Sequence, residues 1–227
     1  LVFCYGLVCH MNQWRAQLER YAPTRPCVLL DYRGHHNSAF PEESSRMNLS
    51  ALAKDVAAVI KNVVPGQPVH VWGHSLGVNV ALELACADPE IVQSLVLCCG
   101  DAQNPFKKML GLGILDRLVE PVLSGYQGKE FAYSVAWRLM QSRPESTELT
   151  ARMLGFNMSA GSRSEDVAAY ARSVASVDPR TFFLLLNELS KGMTNAILPK
   201  VRTPTLVIAG GRDQVTPPDQ MRTLAET

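Results

Sequence analysis

Gly73-His74-Ser75-Leu76-Gly77 is the stretch of this 227-residue chain that decides its fold. It follows a short apolar run at residues 69–72 and precedes a helical pattern at residues 78–87, so it lies on a turn from a strand into a helix. The two glycines permit a turn so tight that side chains at their positions would collide. Such a turn presents the serine hydroxyl at its tip, beside the free N–H groups that begin the helix. Ser75 is therefore the candidate nucleophile.

Short apolar runs alternate with helical patterns along the first hundred residues. We predict strands at residues 1–5, 27–31, 69–72 and 95–98, and helices at residues 14–21, 49–63 and 78–87. Strands that are apolar throughout are typical of a parallel sheet with both faces covered. The sequence therefore predicts an α/β fold in which helices sandwich a mostly parallel sheet.

The pattern changes after residue 102. Helical patterns alone fill the next hundred residues, with candidates at residues 106–123, 129–142, 145–158, 165–177 and 179–191. An apolar strand pattern returns at residues 205–209. We therefore predict a core made of residues 1–102 and 201–227, interrupted by a helical domain at residues 103–200, which we call the insert.

Composition excludes several classes of protein. Hydrophobic residues make up 47% of the chain and the net charge is +1, so a sizeable core is expected and a basic surface for nucleic acid is not. Apolar runs are too short to span a bilayer. No metal-ligand spacing or nucleotide fingerprint occurs, so we expect neither a metal nor a cofactor. The six cysteines form no CxxC pair and favour a reducing compartment, which predicts a cytoplasmic location.

Two further motifs accompany the serine turn. Asp31-Tyr32-Arg33-Gly34 with Ser38 forms a D-x-R-G loop, and residues 203–218 combine an apolar strand with the turn Gly210-Gly211-Arg212-Asp213. The D-x-R-G loop, the serine turn and the segment at residues 203–218 follow one another along the chain. In this order the three motifs resemble the α/β-hydrolase fold family over nearly the whole chain. The insert stands where that family has its cap domain. The resemblance implies an α/β-hydrolase fold with an inserted helical cap over a hydrolase site.

Two positions depart from the family's pattern. Tyr5-Gly6 stands where the family usually has His-Gly after its first central strand, and His36 replaces the second glycine of the D-x-R-G loop. We call residues 6–9 the oxyanion loop, because the family uses the corresponding loop to hold the oxyanion. These departures concern the details of that loop rather than the fold.

The resemblance implies a catalytic triad in the chain order serine, acid, histidine. Asp213, in a turn just past the last strand, fits the acid that orients the histidine. Asp101 also follows a strand and is the alternative acid, since some members of the family place the acid there. We prefer Asp213 because of its motif.

The base is not evident in the sequence. The chain has five histidines, and none follows the acid: His10, His35, His36, His70 and His74. His10 and His35 or His36 lie on loops that could approach the pocket, and His70 is expected to pack within its strand. We therefore expect the catalytic histidine in a segment beyond Thr227, and we expect these 227 residues alone to be a poor catalyst.

The remaining site residues follow from the resemblance. The backbone N–H groups of Leu76 and Leu7 are expected to form the oxyanion hole. His74 is expected to contact substrate, and Tyr5 either does so as well or binds the neighbouring loop. Methionines and aromatic residues of the insert are candidates for an apolar acyl pocket: Met109, Phe131, Trp137, Met140, Met153, Phe156, Met158, Phe182, Phe183 and Met193.

The function predicted from these residues is hydrolysis of a carboxylic ester, thioester or lactone through an acyl-enzyme on Ser75. C–C bond hydrolysis, perhydrolysis and acyl transfer on the same scaffold are alternatives, as is a ligand-binding protein without catalysis. A serine at this turn argues against epoxide or haloalkane hydrolysis, for which the family uses an aspartate. The expected partner is a small molecule with an apolar acyl group.

Overall fold

A five-stranded parallel sheet forms the centre of the computed structural model, which describes residues 1–109, 115–126, 128–141, 164–193 and 197–227. Its spatial order is β2-β1-β3-β4-β5, and every neighbouring pair is parallel. The strands are β1 (Val2–Cys4), β2 (Val28–Leu29), β3 (Val69–His74), β4 (Val92–Cys98) and β5 (Thr205–Ile208). The predicted α/β fold is confirmed.

Helices connect and cover these strands, as parallel pairing requires. The described helices are α1 (Arg15–Tyr21), α2 (Leu49–Val63), α3 (Leu76–Ala87), α4 (Leu115–Tyr126), α5 (Glu130–Gln141), α6 (Ser164–Ser176), α7 (Pro179–Lys191) and α8 (Pro218–Glu226). Helix α3 contacts α2 on one side and β3 and β4 on the other. In the part of the chain that the structure describes, no helix is long and apolar enough to cross a membrane.

Helix α2 illustrates how sequence pattern becomes structure here. Leu52, Val56 and Ile60 recur every four residues and are all buried, so one face of the helix packs on the core. Asn48 begins the helix, because its side-chain oxygen accepts the Ala51 N–H at 2.9 Å. The observed bounds of α2 are those predicted.

Several bounds differ from the prediction. Strand β4 begins at Val92, because its backbone pairs with β3 well before the apolar run at residues 95–98 begins. The predicted helix at residues 14–21 is preceded by a 3-10 turn, Met11–Trp14. The predicted helix at residues 106–123 begins instead as a 3-10 turn, Pro105–Lys107, and α4 follows further on. The helix predicted at residues 145–158 lies outside the described residues.

The insert is packed onto the sheet along α7. Leu185 and Leu189 of this helix are buried in the same apolar cluster as β1, β3 and β4. The Thr181 hydroxyl at the start of α7 donates to the carbonyl of Gly34 at 3.0 Å. Gly34 has φ +71°, and a Cβ added there would lie 2.4 Å from the Thr181 hydroxyl oxygen. The D-x-R-G loop and the insert therefore fit together only with glycine at this position.

Candidate active site

The serine turn joins β3 to α3 in a strained conformation. Ser75 has φ 53° and ψ −120°, a region that residues with a side chain rarely adopt, and its N–H donates to the Cys98 carbonyl at 3.1 Å. Gly73 and Gly77 make the turn possible. A Cβ at Gly73 would lie 2.4 Å from the carbonyl oxygen of Gly77, and a Cβ at Gly77 would lie 2.0 Å from that of Cys4. The turn therefore packs directly against the end of β1.

Ser75 lines a cavity of about 100 Å³ at the carboxyl ends of the strands, which we call the Ser75 cavity. Because neighbouring strands are parallel, residues that follow β1, β3 and β4 meet at this one edge of the sheet. The polar lining residues besides Ser75 include His74, Asn79, Asp101 and Thr216. The rest of the lining is mainly apolar and includes Leu7, Leu76, Phe106, Met109, Phe182, Leu186, Leu189 and Val215.

Only some of the insert residues predicted to line an apolar pocket do so. Met109 and Phe182 line the Ser75 cavity. Met193 is buried in the main core, and the Phe131 side chain is 83% exposed. Trp137 and Phe183 pack with Phe182 in an aromatic cluster of the insert. The side chain of Met140, and residues Met153, Phe156 and Met158, lie outside the described residues.

Asp213 lies in the turn after β5, beside the Ser75 cavity. One carboxylate oxygen accepts the N–H groups of Val215 and Thr216 at 2.8 and 2.9 Å, and the other accepts the Thr216 hydroxyl at 2.8 Å. Thr216 itself lines the cavity. Burial lowers the pKa of His74, and the negative charge of Asp213 opposes this in part. The predicted acid is therefore fixed in place within electrostatic range of the serine turn.

Asp101, the alternative acid, occupies a different environment. It is 6% exposed and lines the Ser75 cavity. One carboxylate oxygen accepts the Gln103 N–H at 2.8 Å, whereas the other is buried without a partner among the described residues. Burial raises the pKa of Asp101, because desolvation disfavours the charged carboxylate. The structure thus brings both candidate acids to the same edge of the sheet.

Of the five histidines, all of them within the described residues, His74 alone lines the Ser75 cavity. His10 accepts the Asn12 N–H, and His70 pairs with the Ser94 hydroxyl within the sheet. His36 donates through Nε2 to the Cys9 carbonyl at 2.8 Å. Burial lowers the pKa of His74 to about 4, and its Nδ1 is buried without a partner among the described residues.

Tyr5 lies in the core rather than on the cavity wall, so the expected substrate contact is corrected. The residue is 1% exposed, and its hydroxyl accepts the N–H of Tyr32 at 3.0 Å. The two rings pack with centroids 4.6 Å apart, and burial raises the pKa of the Tyr5 hydroxyl. Tyr5 therefore supports the D-x-R-G loop, which was the alternative that the sequence left open.

The two predicted oxyanion donors, Leu7 and Leu76, both lie on the Ser75 cavity. Leu76 is the first residue of α3, where a backbone N–H has no acceptor within the helix. Leu7 belongs to the oxyanion loop, where Gly6 donates to the Gln13 side chain at 3.2 Å and Cys9 donates to the Gly6 carbonyl at 3.1 Å. Both segments therefore line the cavity beside Ser75.

The residues that line the Ser75 cavity suit an organic ligand. Among residues 1–109 and the other described segments, no group of three or more histidine, cysteine, aspartate or glutamate side chains is arranged to hold a metal ion. The six cysteines, all of them within the described residues, are free thiols.

His35 is expected to make the protein sensitive to mild acid. It is fully buried between Tyr5 and Tyr32, and burial lowers its pKa from 6.5 to about 4. Between these values the unfolded chain binds a proton that the folded chain does not, so stability falls as the pH falls. This histidine should contribute a loss of about 2 kcal/mol in the free energy of unfolding between pH 7 and pH 5.

Urea unfolding of the wild type and of His35→Phe at both pH values measures this contribution. Phenylalanine keeps a ring between the two tyrosines and does not titrate. The loss between pH 7 and pH 5 should be about 2 kcal/mol smaller in the variant. An equal loss in both proteins would show that His35 is not the source of the sensitivity.

Comparison with known proteins agrees with this fold. The model of the alpha/beta hydrolase fold family matches residues 1–227, so the chain belongs to that family. It is similar to the pimeloyl-(acyl-carrier protein) methyl ester esterase of Neisseria meningitidis, with 26% identity over 205 residues, 88% of this chain and 70% of that protein. It is also similar to epoxide hydrolase 2 of Caenorhabditis elegans, with 27% identity over 106 residues, 47% of this chain and 29% of that protein.

Solved esterase structures share the fold. The esterase EaEST of Exiguobacterium antarcticum has a TM-score of 0.76 at 19% identity, covering 99% of this chain and 78% of the esterase. A thermophilic esterase of Thermogutta terrifontis has a TM-score of 0.69 at 19% identity, covering 99% and 76%. At these identities the likeness concerns the fold alone. The named relatives are an esterase and an epoxide hydrolase.

Proposed function

We propose that this protein hydrolyses a carboxylic ester, thioester or lactone through an acyl-enzyme on Ser75. The observation that carries the proposal is the strained Ser75 at the tip of the β3–α3 turn, on a cavity that Leu7 and Leu76 also line. The serine oxygen attacks the acyl carbon, and the carbonyl oxygen becomes an oxyanion that the N–H groups of Leu7 and Leu76 stabilise. The alcohol or thiol leaves with a proton, and water then hydrolyses the acyl-enzyme.

The proposed triad combines Ser75, Asp213 and a histidine from a segment that follows Thr227. None of the hydrogen bonds of the five histidines in this chain ends on Ser75. Strand β5 has the surface on which such a segment would pack, since Leu206 is 58% exposed and Ile208 is 41% exposed. Strands of parallel sheets are ordinarily covered on both faces, so this exposure supports a further covering element.

The proposed substrate has an apolar acyl group. Phe182, Leu186 and Leu189 of α7 lie over the Ser75 cavity, which supports a role for the insert as a cap domain that shapes the acyl pocket. The methyl ester esterase among the relatives supports an ester substrate, and a serine at the turn favours this over epoxide chemistry. The six free thiols support a cytoplasmic location.

A ligand-binding protein without catalysis is the second candidate. The observation that favours it is that no described hydrogen bond of a histidine ends on Ser75. C–C bond hydrolysis, perhydrolysis and acyl transfer would use the same serine, and product analysis separates them from ester hydrolysis.

Labelling of the full-length protein with a fluorophosphonate probe tests the nucleophile. We expect the wild type to be labelled and Ser75→Ala to be unlabelled, with kcat on a short-chain nitrophenyl ester lowered by at least about 10⁴-fold. Ser94→Ala is the matched control, because that serine lies on β4 and bonds His70. Labelling that persists in Ser75→Ala would exclude Ser75 as the nucleophile. A wild type that is neither labelled nor active would favour the ligand-binding protein.

A further inference from the structure

The oxyanion loop is strained at its centre. Val8 has φ 51°, and for a β-branched residue this left-handed conformation is a true outlier that is energetically unfavourable. The residue follows Leu7, whose N–H is one of the two proposed oxyanion donors. Contacts from elsewhere must hold the loop in this conformation, because the isolated loop would relax.

The Val8 side chain is held by the insert. It is 2% exposed and packs in an apolar cluster with Trp137 of α5, Val174 of α6 and Phe182 of α7. Val8 belongs to this cluster rather than to the main core around the sheet. Burial of the valine side chain among these residues stabilises the strained backbone conformation.

Two hydrogen bonds hold the backbone carbonyls of the loop. The hydroxyl of Ser173 on α6 donates to the Val8 carbonyl at 2.7 Å, and Ser173 is 5% exposed. The Nε2 of His36 donates to the Cys9 carbonyl at 2.8 Å. A carbonyl only accepts, so the proton lies on Nε2. Consecutive carbonyls of the oxyanion loop are therefore fixed from two sides.

His36 links the D-x-R-G loop to α6 as well. Its Nε2 lies 3.3 Å from the Ser173 hydroxyl and its Nδ1 lies 3.3 Å from the Ser176 hydroxyl. His36 has φ 47°, at the position where the family's pattern has a glycine. A glycine would adopt this backbone without strain but has no ring to reach Cys9 or α6. The backbone of His36 is therefore strained, but its side chain makes contacts that a glycine would lack.

We propose that Ser173 and His36 are positioning residues of the oxyanion hole. By holding the carbonyls of Val8 and Cys9, they fix the direction of the Leu7 N–H toward the reacting oxygen. Because Ser173 and the Val8 cluster belong to the insert, the hole has its working geometry only while α6 is docked. The catalytic part of this inference rests on the proposed function, whereas the fixing of the loop does not.

Kinetics of the full-length protein on a nitrophenyl ester test the catalytic part. Ser173→Ala and His36→Gly should each lower kcat by about 10-fold while KM stays within about 2-fold, because a displaced donor weakens transition-state binding alone. Ser173→Thr, which keeps the hydroxyl, should recover most of the activity. Ser190→Ala is the matched control, because its hydroxyl bonds only the Asn187 carbonyl of its own helix, α7. It should match the wild type.

Amide hydrogen exchange tests the fixing of the loop independently of catalysis. Exchange at residues 7–9 should be at least about 10-fold faster in Ser173→Ala and His36→Gly, and unchanged in Ser190→Ala. His36→Gly is informative because it removes backbone strain, so a fall in kcat without a fall in Tm separates positioning from stability.

Three outcomes would overturn the inference. Unchanged exchange at residues 7–9 would show that Ser173 and His36 do not fix the loop. A rise in KM with kcat unchanged would make Ser173 and His36 part of the substrate-binding wall instead. Loss of activity in proportion to Tm would indicate a structural role only. If the wild type lacks Ser75-dependent activity, the proposed function fails, and the exchange measurement alone decides whether the loop is held.

Discussion

The Gly77→Ala variant is expected to lose at least about 4 kcal/mol of its free energy of unfolding, enough to leave most of the protein unfolded or insoluble. The added Cβ would lie 2.0 Å from the carbonyl oxygen of Cys4 and 2.6 Å from its carbon. These are backbone atoms of β1, which is paired with β2 on one side and β3 on the other. Neither a rotamer change nor a small shift of one strand relieves such a contact, so α3 must move off the sheet.

Gly211→Ala is the matched control for this substitution. A Cβ at Gly211 meets no heavy atom within 4 Å, so its stability should stay within about 0.5 kcal/mol of the wild type. Urea unfolding followed by circular dichroism measures both variants. An ordinary substitution changes the free energy of unfolding by about 1 kcal/mol. If Gly77→Ala changes it by no more than this, α3 does not approach β1 as closely as the structure indicates.

The serine turn and its surroundings were predictable because their physics is local. Two glycines around a serine, between a strand and a helix, require the close approach that the structure shows at Gly73 and Gly77. The four-residue recurrence of buried residues in α2 likewise depends only on the helix itself. The start of β4 at Val92 was not predictable, because it depends on pairing with β3 rather than on an apolar run.

The oxyanion loop shows what sequence patterns leave out. Local sterics favour glycine where the structure has Val8 and His36 at positive φ, so no local rule predicts either conformation. The contacts that impose them come from far along the chain, since Ser173 is separated from Val8 by 165 residues. Tyr5 was an open case for the same reason. The Tyr5 hydroxyl is held in the core by the N–H of Tyr32, which lies 27 residues further along the chain.

Asp213→Asn is expected to lower kcat of the full-length protein by about 10³- to 10⁴-fold, because an amide does not stabilise the charged imidazole that forms during acyl transfer. The substitution keeps the shape of the side chain. The remaining oxygen can still accept the N–H groups of Val215 and Thr216, so the turn after β5 should persist. KM and Tm should therefore change little, and labelling of Ser75 by the fluorophosphonate probe should slow in parallel with kcat.

Asp101→Asn distinguishes between the two candidate acids, because it makes the same carboxylate-to-amide change at the other candidate. Burial raises the pKa of Asp101, which disfavours the charged form that a triad acid needs, and one of its oxygens has no partner among the described residues. We therefore expect Asp101→Asn to lower kcat by less than about 10-fold. If Asp101→Asn instead causes the large loss while Asp213→Asn stays active, the triad acid follows β4.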